Sequence, residues 1–117
     1  MASTTGVFEI EREGPTLILT PTASLGEVSP PQAGSVLGLL DDSSVRNAVL
    51  DSRRTEYYSA TVLGFFLELW RRLRGRGGQL ALCNVSDPER QLLRLTAADS
   101  LWAVCRSREE AMQAVGG

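Results

Sequence analysis

The chain has 117 residues, of which 43% are apolar and 22% charged, and its net charge is −2. These values are typical of one globular domain with a single core, and they leave no basic surface for nucleic acid. The sequence contains neither histidine nor lysine. It therefore lacks the commonest general base, the commonest metal ligand and the lysine of a phosphate-binding loop. We expect no enzymatic activity, no cofactor and no metal.

No segment approaches the roughly 18 apolar residues of a spanning helix, and the first six residues lack the features of a signal peptide. We expect a cytoplasmic protein without membrane insertion, built as a single domain over residues 1–117 with residues 1–6 as a flexible tail. Cys83 falls on a predicted strand and Cys105 at the end of another, and the two lack a C-x-x-C spacing. Both are interpreted as core thiols, because free cysteine is among the most buried residue types.

The first third of the chain predicts two strands and a helix. Residues Phe8–Arg12 alternate apolar and charged side chains, as in an edge strand with one face in water. Thr16–Thr20 is an apolar strand that Pro21 should end. Glycine and proline make Ala23–Gln32 a loop, and the leucine and valine spacing of Gln32–Leu40 predicts a helix.

The stretch from Ala48 to Gly78 organises the rest of the chain. An apolar strand ends at Asp51, a polar loop follows, and a helical period then runs to Leu73, after which glycines stop the helix. The next apolar run, Leu80–Val85, completes a βαβ unit. In such units the loop between strand and helix is the usual place for functional residues.

The apolar arc of this central helix spans about 200°, wider than the ~100° stripe that one sheet requires. The wider side of the arc consists of Leu63, Leu67 and Trp70. Neighbouring helices or a partner protein must cover these side chains, and the sequence leaves both alternatives open. The arginines at positions 71, 72, 74 and 76 are interpreted as a solvated face, with acidic partners or phospholipid head groups as the alternative.

Two capping boxes open the last two helices, at Ser86–Glu89 and Ser107–Glu110. The last strand is predicted at Leu101–Val104. The chain is thus an α/β protein with the order β-β-α-β-α-β-α-β-α, a mixed sheet of about five strands and four helices. The following residues should form its core: Leu17, Leu19, Val49, Leu50, Phe66, Leu69, Leu80 and Leu82.

Several segments in this order resemble the STAS domain, the fold of bacterial anti-sigma-factor antagonists. The matching segments are A-V-L-D (Ala48–Asp51), L-G-F-F-L (Leu63–Leu67), Gly77–Val85, L-L-R-L-T-A-A-D-S-L-W-A-V (Leu92–Val104) and S-R-E-E-A (Ser107–Ala111). The resemblance covers nearly the whole chain. It implies a STAS-like sheet with the element order given above.

The resemblance also implies a phosphorylation site, since the family carries D-S-[ST]-G-L-G at the start of its second helix. Here Ser59 occupies the aspartate position, Ala60 the position of the phosphoacceptor serine, Thr61 the second hydroxyl and Val62 the glycine. The residue that the family phosphorylates is therefore replaced by alanine. Thr61 and Ser59 remain as candidate phosphoacceptors, and helix N-capping is the alternative role for both.

The resemblance places a partner surface at the same helix start. The implied partner is an anti-sigma factor that is also a serine kinase of the ATPase fold, and a homodimer is a further option. Because Tyr57 and Tyr58 are adjacent, one should point inward and one outward. We assign the interface to these residues: Arg53, Arg54, Tyr58, Ser59, Thr61, Leu63 and Leu67.

The favoured function is a non-enzymatic protein-interaction module that docks on such a kinase and acts in the regulation of transcription. The alternative is a cytosolic STAS accessory subunit of a lipid transporter, or a STAS domain that binds a nucleotide or another small ligand. Titration with ATP and GTP would discriminate between these two functions.

Overall fold

The computed structural model describes residues 3–5, 8–22 and 30–116. Within these residues the chain forms one six-stranded sheet whose strands lie side by side in the order of the sequence. The strands are β1 (Ser3–Thr5), β2 (Phe8–Glu13), β3 (Thr16–Pro21), β4 (Asn47–Asp51), β5 (Leu80–Cys83) and β6 (Ala103–Cys105). Strands β1, β2 and β3 pair antiparallel, whereas β3, β4, β5 and β6 run parallel.

Four α-helices connect or follow these strands. They are α1 (Pro30–Gly38), α2 (Ala60–Arg74), α3 (Asp87–Leu95) and α4 (Arg108–Ala114). Short 3-10 turns follow α1 and α3, at Leu39–Asp41 and Ala98–Ser100. The helices between parallel strands make the crossovers that such a sheet requires.

Alternation along the central strands divides the core between the two faces of the sheet. In β4, Ala48 and Leu50 join the larger cluster with α1, α2 and α3, while Val49 joins the smaller cluster with α4. Successive strand residues point to opposite faces, so a continuously apolar strand supplies both clusters. All eight predicted core residues are buried, and Phe66 and Leu69 of α2 close the larger cluster. The core prediction is confirmed.

The predicted mixed sheet and four helices are confirmed, with differences at the boundaries. Ser3–Thr5 pairs with β2 as a sixth strand, where the sequence analysis places part of a tail. This segment is short and polar, and its sequence has no strand pattern of its own. It forms a strand because it pairs with the exposed edge of β2. The last strand begins at Ala103 because residues 98–100 form the 3-10 turn. Of the predicted loop Ala23–Gln32, residues 23–29 lie outside the described residues.

The end of α2 is fixed by a tight approach to the start of β4. A Cβ atom at Gly78 would lie 1.6 Å from the backbone oxygen of Arg46, so only glycine fits there. Gly77 has φ +76°, a left-handed conformation that favours glycine. The amide of Gly78 donates to the oxygen of Leu73 at 2.8 Å. This turn aims the chain into β5 and fixes the C-terminal end of α2.

Candidate functional site

The candidate site lies where β4 ends, in the loop of residues 52–59 and the first turns of α2. The carboxylate of Asp51 lies at the bottom of this site, and its side chain is 1% exposed. This carboxylate accepts the backbone N–H of Arg53 at 3.1 Å and the side-chain amide of Asn84 at 3.0 Å. The guanidinium of Arg108, in α4, pairs with it at 3.1 Å. A buried charge needs this degree of compensation, and the three contacts connect the end of β4 to the loop, to the segment after β5 and to α4.

Arg108 extends this network to the antiparallel part of the sheet. Its other nitrogens reach Glu11 in β2 at 3.0 Å and Thr20 in β3 at 3.2 Å. One side chain from the last helix therefore connects β2, β3 and β4. This cluster could not be predicted from the sequence, because Arg108 and Asp51 are 57 positions apart and no local pattern shows that their side chains meet.

The middle of the loop is tied to the start of α3. Glu89 is fully buried, and its carboxylate accepts the backbone N–H of Ser86 at 2.9 Å and the hydroxyl of Thr55. The hydroxyl of Ser86 donates to the backbone oxygen of Glu56 at 2.6 Å. The predicted capping box is confirmed. In the structure, the side chains of Ser86 and Glu89 also hydrogen-bond to the loop of residues 52–59, and no local sequence pattern predicts these contacts.

Tyr58 fixes the inner side of the loop. Its side chain is 5% exposed, its hydroxyl is hydrogen-bonded to the hydroxyl of Ser52, and its ring packs edge-on against Phe66 with centroids 5.1 Å apart. Burial, reinforced by the charge of Glu89, raises the pKa of Tyr58 far above its ordinary value. The predicted interface includes Tyr58, but the structure buries this ring. Tyr57, 51% exposed, is the tyrosine on the surface, since adjacent residues of an extended segment point to opposite sides.

Ser59 caps α2. Its backbone is extended (φ −88°, ψ 166°), and its side-chain oxygen accepts the backbone N–H of Val62 at 3.2 Å. The capping role considered for Ser59 is therefore confirmed. Ala60 and Thr61 follow in the first turn and both are exposed. Ala60 thus presents a methyl group, and the hydroxyl of this first turn that is not used in the cap belongs to Thr61.

An apolar groove of about 250 Å³ runs beside this helix start. Its walls come from two elements, α2 and the segment between α3 and β6. The lining residues are Ala60, Leu63, Gly64 and Leu67 on one side and Thr96, Ala98 and Leu101 on the other. Leu63 is 6% exposed, whereas Leu67 is 36% exposed. On the wide side of the apolar arc of α2, the fold therefore covers Leu63, as expected for neighbouring elements. It leaves part of Leu67 at the surface, where a partner could cover it.

Arg53 and Arg54 lie on the outer side of the loop and are exposed. Arg54 approaches Glu9 of β2 at 3.6 Å, a solvated pair that contributes little to stability. The side chain of Arg53 forms no ion pair with any residue in the described part of the chain. Together with the positive end of the α2 dipole, these arginines make the helix start favourable for an anionic group.

The described residues contain no cluster of histidine, cysteine, aspartate or glutamate that could hold a metal ion. None of their helices has the length and apolar character needed to cross a bilayer. Cys83 is buried and Cys105 half-buried, and both are free thiols, as expected. Burial raises the pKa of the Cys83 thiol to about 12, so this thiol is unreactive at neutral pH.

The model of the STAS domain matches residues 8–111 of this chain. The chain therefore belongs to the STAS domain family, as the motifs along its sequence indicate. No curated protein matches it in sequence.

Solved STAS structures share its fold at low sequence identity. The anti-sigma-factor antagonist (STAS) domain protein of Planctomyces limnophilus is 19% identical, with a TM-score of 0.81 over 94% of this chain and 98% of that one. An anti-sigma factor antagonist of Mycobacterium paratuberculosis is 15% identical, with a TM-score of 0.80 over 100% of both chains. The Bacillus cell fate determinant SpoIIAA in its phosphorylated form is 18% identical, with a TM-score of 0.66 over 91% and 96%.

Proposed function

We propose that this protein is a non-enzymatic interaction module of the anti-sigma-factor antagonist type. It docks on an anti-sigma factor that is a serine kinase of the ATPase fold, and it does so through the start of α2. The observation that carries the proposal is the apolar groove of about 250 Å³ at the start of α2, with Leu67 36% exposed in its wall. A partly filled apolar groove next to a rigid loop is a suitable anchor for a partner side chain.

The rigidity of the loop supports this proposal. Thr55 and Tyr58 each hydrogen-bond to a buried side chain, and the buried carboxylate of Asp51 accepts the backbone N–H of Arg53, so residues 52–59 are ordered before the partner arrives. A surface that is already ordered loses little conformational entropy on binding. The outward-facing groups of this loop, Arg53 and Tyr57, border the helix start and extend the contact area.

Ala60 changes how such a module would be switched. It has no hydroxyl group, so a kinase directed to the family position finds no acceptor. Ser59 is an unsuitable substitute because its oxygen already caps the helix through Val62. Thr61 is exposed, but it lies one residue further along the helix and is rotated by about 100°. Phosphoryl transfer depends on in-line geometry, so a kinase must be adapted to Thr61 to modify it.

A substitution in the groove tests the docking. Leu67→Asp should abolish binding to the serine kinase encoded nearest to this gene, measured with both purified proteins by calorimetry, since a charge would occupy the apolar contact. Leu95→Asp is the matched control, because Leu95 is 74% exposed and does not line the groove. Binding by both variants would contradict the proposal. Unfolding of Leu67→Asp, seen by circular dichroism, would assign Leu67 to the core.

The phosphorylation state tests the switch. Protein purified from its own host, from growing and from stressed cells, should have the unmodified intact mass, or a mass raised by one phosphoryl group that maps to Thr61. Without modification, the module binds its partner constitutively or acts as its own dimer. Stoichiometric phosphorylation of Ser59 would overturn this argument.

A further inference from the structure

A second groove lies at the opposite end of α2, where the parallel strands begin. It has a volume of about 300 Å³ and lies between the last turns of α2, the segment entering β5 and the segment entering β6. Its chemical groups come from Trp70 and Arg74 on α2, from Gln79, and from Ser100 and Trp102. Leu101 lines this groove as well as the apolar groove at the start of α2.

Both tryptophans of the protein line this one groove. Trp70 is half-buried, and Trp102 is buried with its indole N–H lacking an acceptor among the described residues. Buried donors are nearly always satisfied in folded proteins, so this unpaired N–H is an unusual feature of a residue in the groove wall. Indole rings are flat and apolar with a polar edge, which suits them to hold a planar ligand.

Arg74 gives the groove a positive charge. Its guanidinium carbon lies 5.1 Å from the centre of the Trp70 ring, a cation–π contact that positions the side chain. The neighbouring Arg71 and Arg72 both pair with Glu68, at 3.6 Å and 3.1 Å. Arg74 forms no ion pair with any described residue. Its guanidinium is therefore available to an anion.

We propose that this groove binds a small planar carboxylate, with the carboxylate on Arg74 and the ring of the ligand against the indoles. A guanidinium matches a carboxylate through two parallel hydrogen bonds. The groove offers one cation, which balances the single charge of a carboxylate rather than the double charge of a phosphate monoester. The side-chain amide of Gln79 can donate a further hydrogen bond. The volume is at the lower end of small-molecule sites and suits a single ring.

NMR titration with benzoate tests this assignment, because each tryptophan gives one indole N–H signal. Benzoate should shift both signals saturably with a millimolar dissociation constant, the range expected for so small a ligand. Benzamide has the same shape without the charge and should bind at least about tenfold more weakly. Tighter binding of phenyl phosphate than of benzoate would overturn the choice of a carboxylate.

Two arginine variants complete the test. Arg74→Gln should weaken benzoate binding about tenfold or more, since the charged hydrogen bonds are lost. Arg71→Gln is the matched control on the same helix and should bind benzoate as the wild type does. No saturable shift in the wild type, or equal binding by Arg74→Gln, would refute the site. The kinase-binding assay with Leu67→Asp is independent of this result, so the two proposals can fail separately.

Discussion

Helix α2 is held at its N-terminal end by side chains and at its C-terminal end by backbone. At the start, Ser59 caps the helix and the preceding loop is fixed through Asp51 and Glu89, two buried carboxylates. At the end, a glycine turn packs directly on the backbone of Arg46. Hydrogen bonds from side chains can change with a single substitution and leave the backbone path in place. The end built from side chains is therefore the one that a single substitution can alter while the backbone of the fold is kept.

Phe66 lies between the two ends, and its loss should have the largest effect. The ring is fully buried and contacts Tyr58 and Phe65. Phe66→Ala should lower the free energy of unfolding by ~3–5 kcal/mol, because a large side chain is removed from a packed core. Chemical denaturation measures this value. A loss below about 1 kcal/mol would mean that the inner face of α2 is misplaced.

Arg108 tests the end held by side chains. Arg108→Leu leaves the carboxylate of Asp51 buried without its cationic partner, and the free energy of unfolding should fall by about 3 kcal/mol. Adding Asp51→Asn to this variant removes the stranded charge, so the double variant should be more stable than Arg108→Leu alone. A double variant that is less stable would show that Asp51 acts through its neutral hydrogen bonds to Arg53 and Asn84.

Gly78 tests the end held by backbone. Gly78→Ala introduces a Cβ atom 1.6 Å from a carbonyl oxygen that cannot rotate away, and should cost about 2–3 kcal/mol through a backbone shift. Gly34→Ala in α1 is the control, because a Cβ there meets nothing within 4 Å and alanine favours the helix. Equal thermal stability of the two variants would contradict the contrast between the ends of α2.

The smallest expected effect is a pH-dependent change in stability that comes from Asp42, at the end of the sheet near the glycine turn. Asp42 accepts hydrogen bonds from the side chain and backbone of Ser44 and from Arg12, and these contacts lower the pKa of its carboxyl group from 3.8 to about 2. A group whose pKa is lowered by folding stabilises the protein above its unfolded pKa. This contribution should therefore be lost between about pH 4 and pH 2.

Asp42→Asn isolates this contribution. The stability difference between wild type and variant should be small near neutral pH and vanish below about pH 2, as followed by thermal melts. A difference that grows with acidity would show that Asp42 does not stabilise the fold through its charge. The cluster is solvent-exposed, so salt should also reduce the difference.

The sequence by itself determined the order of the elements from β2 onward, the core and the cap. Alternation in Phe8–Arg12, the helical period to Leu73 and the capping box at Ser86 are local signals, and each predicts an element that the structure contains. Local chemistry also placed Ser59 at the helix cap. These properties follow from neighbouring residues, so a linear sequence is enough to find them.

The tertiary structure alone decided which groups meet. The pairs Asp51–Arg108 and Thr55–Glu89 join residues 57 and 34 positions apart. The strand Ser3–Thr5 forms because β2 offers an edge. The inward turn of Tyr58 and the convergence of Trp70 with Trp102 likewise depend on elements brought together by the sheet. Such contacts arise from packing between segments that are distant in the sequence. Many polar residues could form them, and no local periodicity in the sequence shows which residue will pair with which.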